Sequence, residues 1–292
     1  MNEKRRLVLD IGGSFIKYGM ADGSGCLIED SVRQKAVDHS SWEIFSRLID
    51  GIILEIRSTG TVEEACVAMP GPFDFTNGVS HMKHKLPALY GKSLKEPFEE
   101  EGMQVRFLHD STAFILGEFY DGVLKNTVRP CSVMLGTGLG FSFIRDGKVC
   151  VNHTETPAFS LWRAPYLSGI AEDYVSTGAI KARYDGITEV REIAERARND
   201  DLKAVRALKE TADCLSDILN PVLREFECDT LALGGQIAKA ADLLPLTLSV
   251  PWKVSGHLND AALRGAAWYG KLGRDACIDI IPEINFSLKT RG

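Results

Sequence analysis

In Asp10-Ile11-Gly12-Gly13-Ser14-Phe15-Ile16-Lys17 a carboxylate ends a β-rich run and two glycines follow at once. Glycine leaves no Cβ in the way, so successive backbone N–H groups can approach an anion, and the design suits a phosphate. A tight hairpin closed by a capping aspartate accounts for the same residues without any ligand. Gly136-Thr137-Gly138-Leu139-Gly140 repeats the chemistry, with a hydroxyl flanked by glycines that can donate to phosphate oxygens. It is not the dinucleotide fingerprint, because the Phe-Ser-Phe-Ile that follows reads as strand rather than as a helix start. Two such turns, about half a chain apart, are what clamping a triphosphate from two sides requires.

His109-Asp110-Ser111 sits where a strand runs into a helix, a position from which a carboxylate can be aimed into a cleft. Asp110 could equally serve as the helix N-cap, a role that Asp and Ser often fill. Leu233-Gly234-Gly235-Gln236 ends another strand before a helix. Its glycines permit close approach of a flat ligand such as adenine and ribose, and they are also the usual strand-to-helix turn.

The elements that must position these residues follow from periodicity. RLVLDIG and FIKYGMADGSG read as a hairpin, CLIEDSVRQKA as a third strand, and residues 42–57 place apolar side chains at helical spacing. EEACVAMPGP is a short buried strand, SLKEPFEEEGM starts a helix, and QVRFLHDSTAFILGEFYDG is a strand entering a helix. SVMLGTGLGFSFIRDGKV is a second hairpin. Helical composition then runs from Glu189 to Glu227, with an interruption expected near Asn220-Pro221. DTLALGGQIAKAADLL reads as strand, turn and helix, and NDAALRGAAWYGKL as a late Ala-rich helix with an Asn or Asp N-cap. Glycine hairpins followed by α/β units in both halves predict a duplicated α/β architecture with a cleft between the halves.

Composition bounds the function. Apolar residues at 45% and charged ones at 25% match a globular chain and argue against fibrous, disordered or membrane classes. A net charge of −6, with no Lys/Arg run or helix-turn-helix candidate before the first strand, gives no footprint for nucleic acid. The apolar run before Asp10 is too short for a signal segment or a membrane span, which places the protein in the cytoplasm. Seven cysteines are scattered singly without a Cys-x-x-Cys, so reduced core thiols are expected rather than a disulfide framework or a structural zinc.

DIGGSFIKYG, VAMPGPFDFTNG, LHDSTAFILGE, MLGTGLGFSF, NPVLREFECDTLALGGQI and the late Ala-rich helix resemble, in this order, segments of the ROK family of sugar kinases and sugar-responsive repressors. The resemblance spans nearly the whole chain. It implies two actin-like (ribonuclease H-like) α/β domains with an interdomain cleft: residues 1–118, joined by the C-terminal helix, and residues 119–292. It also implies ATP with Mg²⁺ and phosphorylation of a hexose or amino-sugar; from charge and hydropathy neither nucleic acid nor a membrane is expected as partner. A second copy of the chain, forming a homodimer, is the expected protein partner. Residue by residue, Asp10, Gly12, Gly13, Ser14 and Lys17 look like the phosphate site, with Asp10 holding Mg²⁺ through water. Gly136, Thr137, Gly138 and Gly140 look like the second phosphate loop, and Gly234 and Gly235 like the adenosine loop. Asp110 matches the catalytic base, Gly71 and Pro72 a loop bordering the sugar, and Glu172 a glutamate that binds sugar hydroxyls.

The sequence also departs from the family. His109 stands where the family has Asn before the catalytic Asp, and Lys85 where another Asn contacts the sugar. The family's zinc stretch, Glu-x-Gly-His with clustered cysteines, is replaced by NHTETPAFSLWRAPYLSG, in which Glu155 or His153 is the candidate sugar ligand. Some family members lack the zinc, so a kinase remains the expectation. A non-catalytic sugar sensor is the rival, and an acetate-kinase-like phosphotransferase is a third reading.

Overall fold

The computed structural model describes residues 5–38, 40–83 and 86–288. Its first half runs β1 (Arg5–Ile11), β2 (Phe15–Ala21), β3 (Leu27–Ala36), α1 (Trp42–Arg57), β4 (Val62–Met69), β5 (Phe73–Asp74), β6 (Val79–Ser80), α2 (Glu96–Glu100), β7 (Gln104–His109) and α3 (Asp110–Asp121). The second half runs β8 (Pro130–Leu135), β9 (Leu139–Arg145), β10 (Lys148–Val151), β11 (Pro165–Tyr166), β12 (Gly169–Ile170), α4 (Glu172–Val175), α5 (Thr177–Tyr184), α6 (Val190–Arg198), α7 (Leu202–Glu225), β13 (Thr230–Gly234), β14 (Trp252–Val254), α8 (Ala261–Leu272), α9 (Arg274–Cys277) and β15 (Ile278–Ile280).

The two main sheets share one wiring. The first has the order β3-β2-β1-β4-β7, and the second contains the equivalent β10-β9-β8-β13-β14 with β15 added beside β10. In each, an antiparallel hairpin opens the unit and two parallel strands extend it on the other side of the first strand. The duplication that is faint in the sequence is plain in this order.

Strand β1 is buried on both faces, and its side chains alternate between two cores as the pleat demands. Leu7, Leu9 and Ile11 pack with Phe45, Ile49, Ile52 and Ile53 of α1. Val8 faces the other way, onto Cys66 and Ala68 of β4 and onto Leu263, Ala266 and Ala267 of α8. Each fully buried isoleucine contributes on the order of 2 kcal/mol, so α1 is fixed by its apolar face. Ser41 caps that helix, accepting from the Ile44 N–H at 3.3 Å.

Helices α3 and α8 cross with their backbones in contact. A Cβ on Gly117 would overlap the Ala261 carbonyl, and one on Gly265 would overlap the Ala113 carbonyl. Only glycine fits at either position, and the late chain is thereby seated on the first sheet. Arg264 adds ion pairs to Asp121, Asp260 and Glu29.

Three local expectations fail. Helix α7 runs 24 residues straight through Pro221, because Ile218, Leu219, Val222 and Leu223 are buried around it and this packing outweighs the lost backbone bond. After Gly235 the chain forms a 3₁₀ stretch over Ile237–Leu243, not an α-helix. The expected Asn or Asp N-cap of α8 is Asp260, although its side chain makes no capping bond. Cys26 is exposed, unlike the buried Cys66, Cys131, Cys150, Cys228 and Cys277. Among the described residues no helix is long and apolar enough to cross a membrane.

Candidate active site

The site gathers at the C-terminal ends of β1, β4 and β7. Parallel pairing places Asp10 beside Ala68, and Ala68 beside Leu108, so the three strands end level with one another. Asp10, Gly71 and the His109-Asp110 pair therefore emerge on one edge of the sheet. Their proximity is electrostatic as well: the Asp10 carboxyl is pushed up to about 6, chiefly by burial, and the negative charge of Asp110 adds to the rise while Lys17 opposes it. Lys17 pairs with Asp10 across the hairpin, and its ammonium donates to the Asn259 carbonyl just before α8.

The turn between β1 and β2 is tight, with Gly12 N–H donating to Phe15 O at 2.9 Å. Gly13 and Ser14 are exposed at its tip, and a Cβ on Gly13 would meet nothing within 4 Å. The backbone there is open to an incoming anion.

Asp110 is the first residue of α3, and the cap position belongs to His109. Oδ1 of Asp110 accepts from Ser111 N (2.7 Å) and Ser111 Oγ (3.2 Å). Nδ1 of His109 lies 3.2 Å from Ser111 N and 3.0 Å from Asp110 Oδ1. Nδ1 either accepts from Ser111 N or, in the tautomer that carries the ring proton there, donates to Asp110 Oδ1. Nε2 faces the space over Gly71, 3.5 Å from where a Cβ would stand. The Gly71–Pro72 peptide, on the loop after β4, is cis, and Pro72 is exposed.

The second glycine turn reaches the same helix start, since a Cβ on Gly140 would lie 3.2 Å from Ser111 Oγ. Thr137 is exposed at its tip, and Gly136 has open space on its Cβ side. The second glycine turn thus abuts the first turn of α3, and the first glycine turn follows directly on Asp10, whose carboxyl feels the charge of Asp110.

The remaining candidates fall differently. Glu172 is turned toward the second glycine loop: its Oε2 accepts from Leu139 N at 2.8 Å and lies 2.8 Å from where a Gly138 Cβ would stand. Glu155 is buried and accepts from Arg274 Nε (3.0 Å) and a terminal guanidinium nitrogen (2.8 Å). His153 is exposed. A Cβ on Gly234 would run into the Phe114 ring, and one on Gly235 into the end of β8, so packing alone accounts for both glycines. Gly235 further adopts φ 84°, a left-handed backbone suited to glycine. Lys85 lies outside the described residues. Sequence reasoning missed Thr156, whose γ-methyl comes within 3.7 Å of the Gly71 Cβ position, because nothing local in the chain signals a neighbour 85 residues away.

The sequence pattern of the ROK family matches residues 6–154, a span that holds both glycine turns, Gly71 and Asp110. The chain belongs to the ROK family. An N-acetyl-D-glucosamine kinase of Vibrio cholerae is 23% identical to this ROK protein over 87% of this chain and 90% of its own length. Among solved structures, a ROK family glucokinase from Streptomyces griseus in complex with glucose and AMPPNP superposes with a TM-score of 0.75 at 20% identity, over 92% of this chain and 100% of that one. A ROK family transcriptional regulator, a homologue of the E. coli MLC protein, superposes equally well, with a TM-score of 0.75 at 16% identity, over 90% of this chain and 76% of that one. The fold is the actin-like ATPase fold that ROK hexokinases share.

Proposed function

We propose that this ROK protein is an ATP-dependent sugar kinase, acting on a hydroxyl of a hexose or amino-sugar in the manner of a glucokinase or an N-acetylmannosamine kinase, with Asp110 as general base. The observation that carries the reading is the convergence of Asp10 and Asp110 at one sheet edge, with two glycine hairpin turns beside them. A sugar hydroxyl is a poor acid, so a carboxylate within hydrogen-bond reach must take its proton as the oxygen attacks phosphorus. Asp110 is supported for this task by Ser111, which holds one of its oxygens. His109 Nδ1 lies 3.0 Å from the same oxygen, and its Nε2 faces Gly71, where the acceptor would lie.

The residues present fit a nucleotide and a divalent cation. Asp110 adds to the cost of ionising Asp10, so a cation held there would be favoured, and Gly13 and Gly136 leave open backbone for phosphate oxygens. Asp10 would hold Mg²⁺ through water. Gly12, Gly13, Ser14, Lys17, Gly136, Thr137, Gly138 and Gly140 would hold the phosphates, and Gly234 with Gly235 would border the adenosine. When bound, the cation supplies neutralising charge on the β- and γ-phosphate oxygens. The two domains of this reading divide near residue 118, within the unbroken α3, and α8 joins the first. Their closure would exclude water. A cytoplasmic homodimer completes the proposal, and sedimentation of the purified chain tests the stoichiometry.

The test of the activity is a coupled ADP-release screen over hexoses and N-acetylated amino-sugars with ATP and Mg²⁺. Turnover well above the no-sugar background with at least one sugar is the expected result, and its absence across the panel sinks the kinase. A non-catalytic sugar sensor is the second reading, favoured by the shared fold with a ROK regulator and by the altered 152–169 segment. It requires sugar binding without ADP release.

A further inference from the structure

The turn from Asn152 to Thr156, which follows β10, is held from two sides. Oδ1 of the buried Asn152 accepts from Thr154 N (2.9 Å), Thr154 Oγ1 (2.7 Å), Thr156 N (3.3 Å) and Thr156 Oγ1 (3.1 Å). Asn152 N–H donates to Thr156 O and Glu155 N–H to Asn152 O, each at 2.9 Å. Glu155 adopts φ 58°, a left-handed backbone that a glutamate holds only when its surroundings impose it. Its carboxylate, with 10% of the side chain exposed, is clasped by Arg274 at the start of α9. Arg274 is part-exposed but Glu155 is not, so loss of the arginine would leave a sheltered carboxylate unpaired, and the pair fixes the turn.

The consequence appears at Gly71. The position its missing Cβ leaves vacant is approached by His109 Nε2 from the end of β7 (3.5 Å) and by Thr156 Cγ2 from the turn after β10 (3.7 Å). Thr156 directs its hydroxyl at Asn152, so the group it offers to this space is the methyl.

We infer that Thr156 is a specificity-determining residue of the acceptor site: its γ-methyl stands against Gly71 as a wall beside the acceptor, and Asn152 with the Glu155–Arg274 pair are positioning residues that keep it there. This rests on the sugar-kinase reading for the identity of the acceptor. Such a wall discriminates by bulk and not by pairing hydroxyls. It admits a hexose carrying a small group at that point and disfavours the same sugar carrying an N-acyl group. One methyl in a fixed wall is worth roughly 10-fold to 200-fold in selectivity. Glu155 is then no sugar ligand but a clasp.

The test separates methyl from hydroxyl. Thr156→Ser keeps the bond to Asn152 and removes the methyl, whereas Thr156→Val keeps the shape and removes the hydroxyl. On the full chain with ATP and Mg²⁺, the ratio of kcat/KM for an N-acetylated hexosamine over the plain hexose of the same configuration is measured. Thr156→Ser should raise that ratio about tenfold, through the KM of the sugar and with the KM of ATP unchanged, while Thr156→Val leaves it within about twofold. Arg274→Gln should move the ratio in the same direction as Thr156→Ser, and Arg274→Lys should restore part of the original preference. A folded Thr156→Ser variant with an unchanged ratio overturns the inference. If no sugar is phosphorylated, the same ratio is read from calorimetric sugar affinities: a tenfold change then upholds the wall while the kinase falls, and no sugar binding at all removes both.

Discussion

The strand ends of the two sheets share a wiring but divide the chemistry. The edge of the five-stranded sheet carries ionisable groups, namely Asp10, Lys17, His109 and Asp110, and burial, with the charge of Asp110 adding to it and Lys17 opposing, drives Asp10 up to about 6. The corresponding turn of the six-stranded sheet, Gly136 to Gly140, has no charge of its own and offers backbone amides and one hydroxyl. Its single carboxylate, Glu172, arrives from α4. A hairpin repeated on one plan therefore gives two different surfaces: one able to move a proton and attract a cation, the other able to cradle an anion at little electrostatic cost. Substitutions that remove charge should hurt the first side, and substitutions that add bulk should hurt the second.

The largest effect is expected from Asp110→Asn, which keeps the shape and removes the base. Turnover should fall by on the order of a hundredfold or more with nucleotide affinity nearly unchanged, because a general base acts in the transition state. Steady-state kinetics over ATP and sugar check both halves, and unchanged turnover would remove Asp110 from the mechanism.

Asp10→Asn tests the same edge through stability. With its folded value raised to about 6 from an ordinary 3.8, Asp10 binds a proton in the folded chain at pH values where the unfolded chain has released it. Stability therefore falls as pH rises through that window, and above it the ionised carboxylate costs the fold about 1–2 kcal/mol once solvent screening is allowed for. In the absence of divalent cations the variant should melt higher than the parent at pH 8, with the gain vanishing near pH 4. Added Mg²⁺ should raise the parent's melting temperature more than the variant's. Equal melting at pH 8 would mean that the cost of ionising Asp10 is relieved some other way.

What could be read from the sequence follows the range of the interactions. The two glycine turns, helix α1 and the strand-to-helix junction at Asp110 depend on neighbours within a few residues, and the pattern of types shows them. Pro221 misled because burial of the side chains around it, which the local pattern does not contain, decides that α7 continues. Glu155 and Arg274 lie 119 residues apart, and Glu172 and Leu139 lie 33 apart. No periodicity encodes such pairs: Glu172, which the resemblance gives to the sugar, faces a backbone amide, and Glu155, a candidate ligand in the stretch that departs from the family, faces an arginine. Gly234 is a third case, where a glycine that looks made for a ligand is already required by the ring of Phe114.

On the uncharged side, Gly136→Ala adds a Cβ where the protein has nothing within 4 Å. Gly136 also lacks the left-handed backbone that would make alanine costly. The melting temperature should stay within about 2 °C, while the KM for ATP rises about tenfold as the methyl holds phosphate oxygens off the amides. A fall in stability with an unchanged KM would reverse the assignment of this turn, and would leave the comparison between the two edges without its second half.

The smallest effect is expected from Glu172→Gln, and it decides which side of the site that residue serves. The Glu172 carboxylate accepts from Leu139 N–H, one of the amides in the second glycine turn, and sits against Gly138. A negative charge there competes with a phosphate for the same face of the loop. Glutamine preserves the acceptor and the shape but removes the charge, and the loss of a charge-assisted bond costs the fold less than about 1 kcal/mol. The loop should therefore keep its geometry while its repulsion of an anion falls, so the KM for ATP should drop about twofold to fivefold with the KM for sugar unchanged. If Glu172 instead swings to the sugar's hydroxyls during catalysis, as the family resemblance implies, the outcome inverts: the KM for sugar rises and that for ATP stays put. The split between the two Michaelis constants distinguishes these roles without a further structure. It also tests whether the anion-cradling edge is neutral by design or carries a charge that the nucleotide must displace.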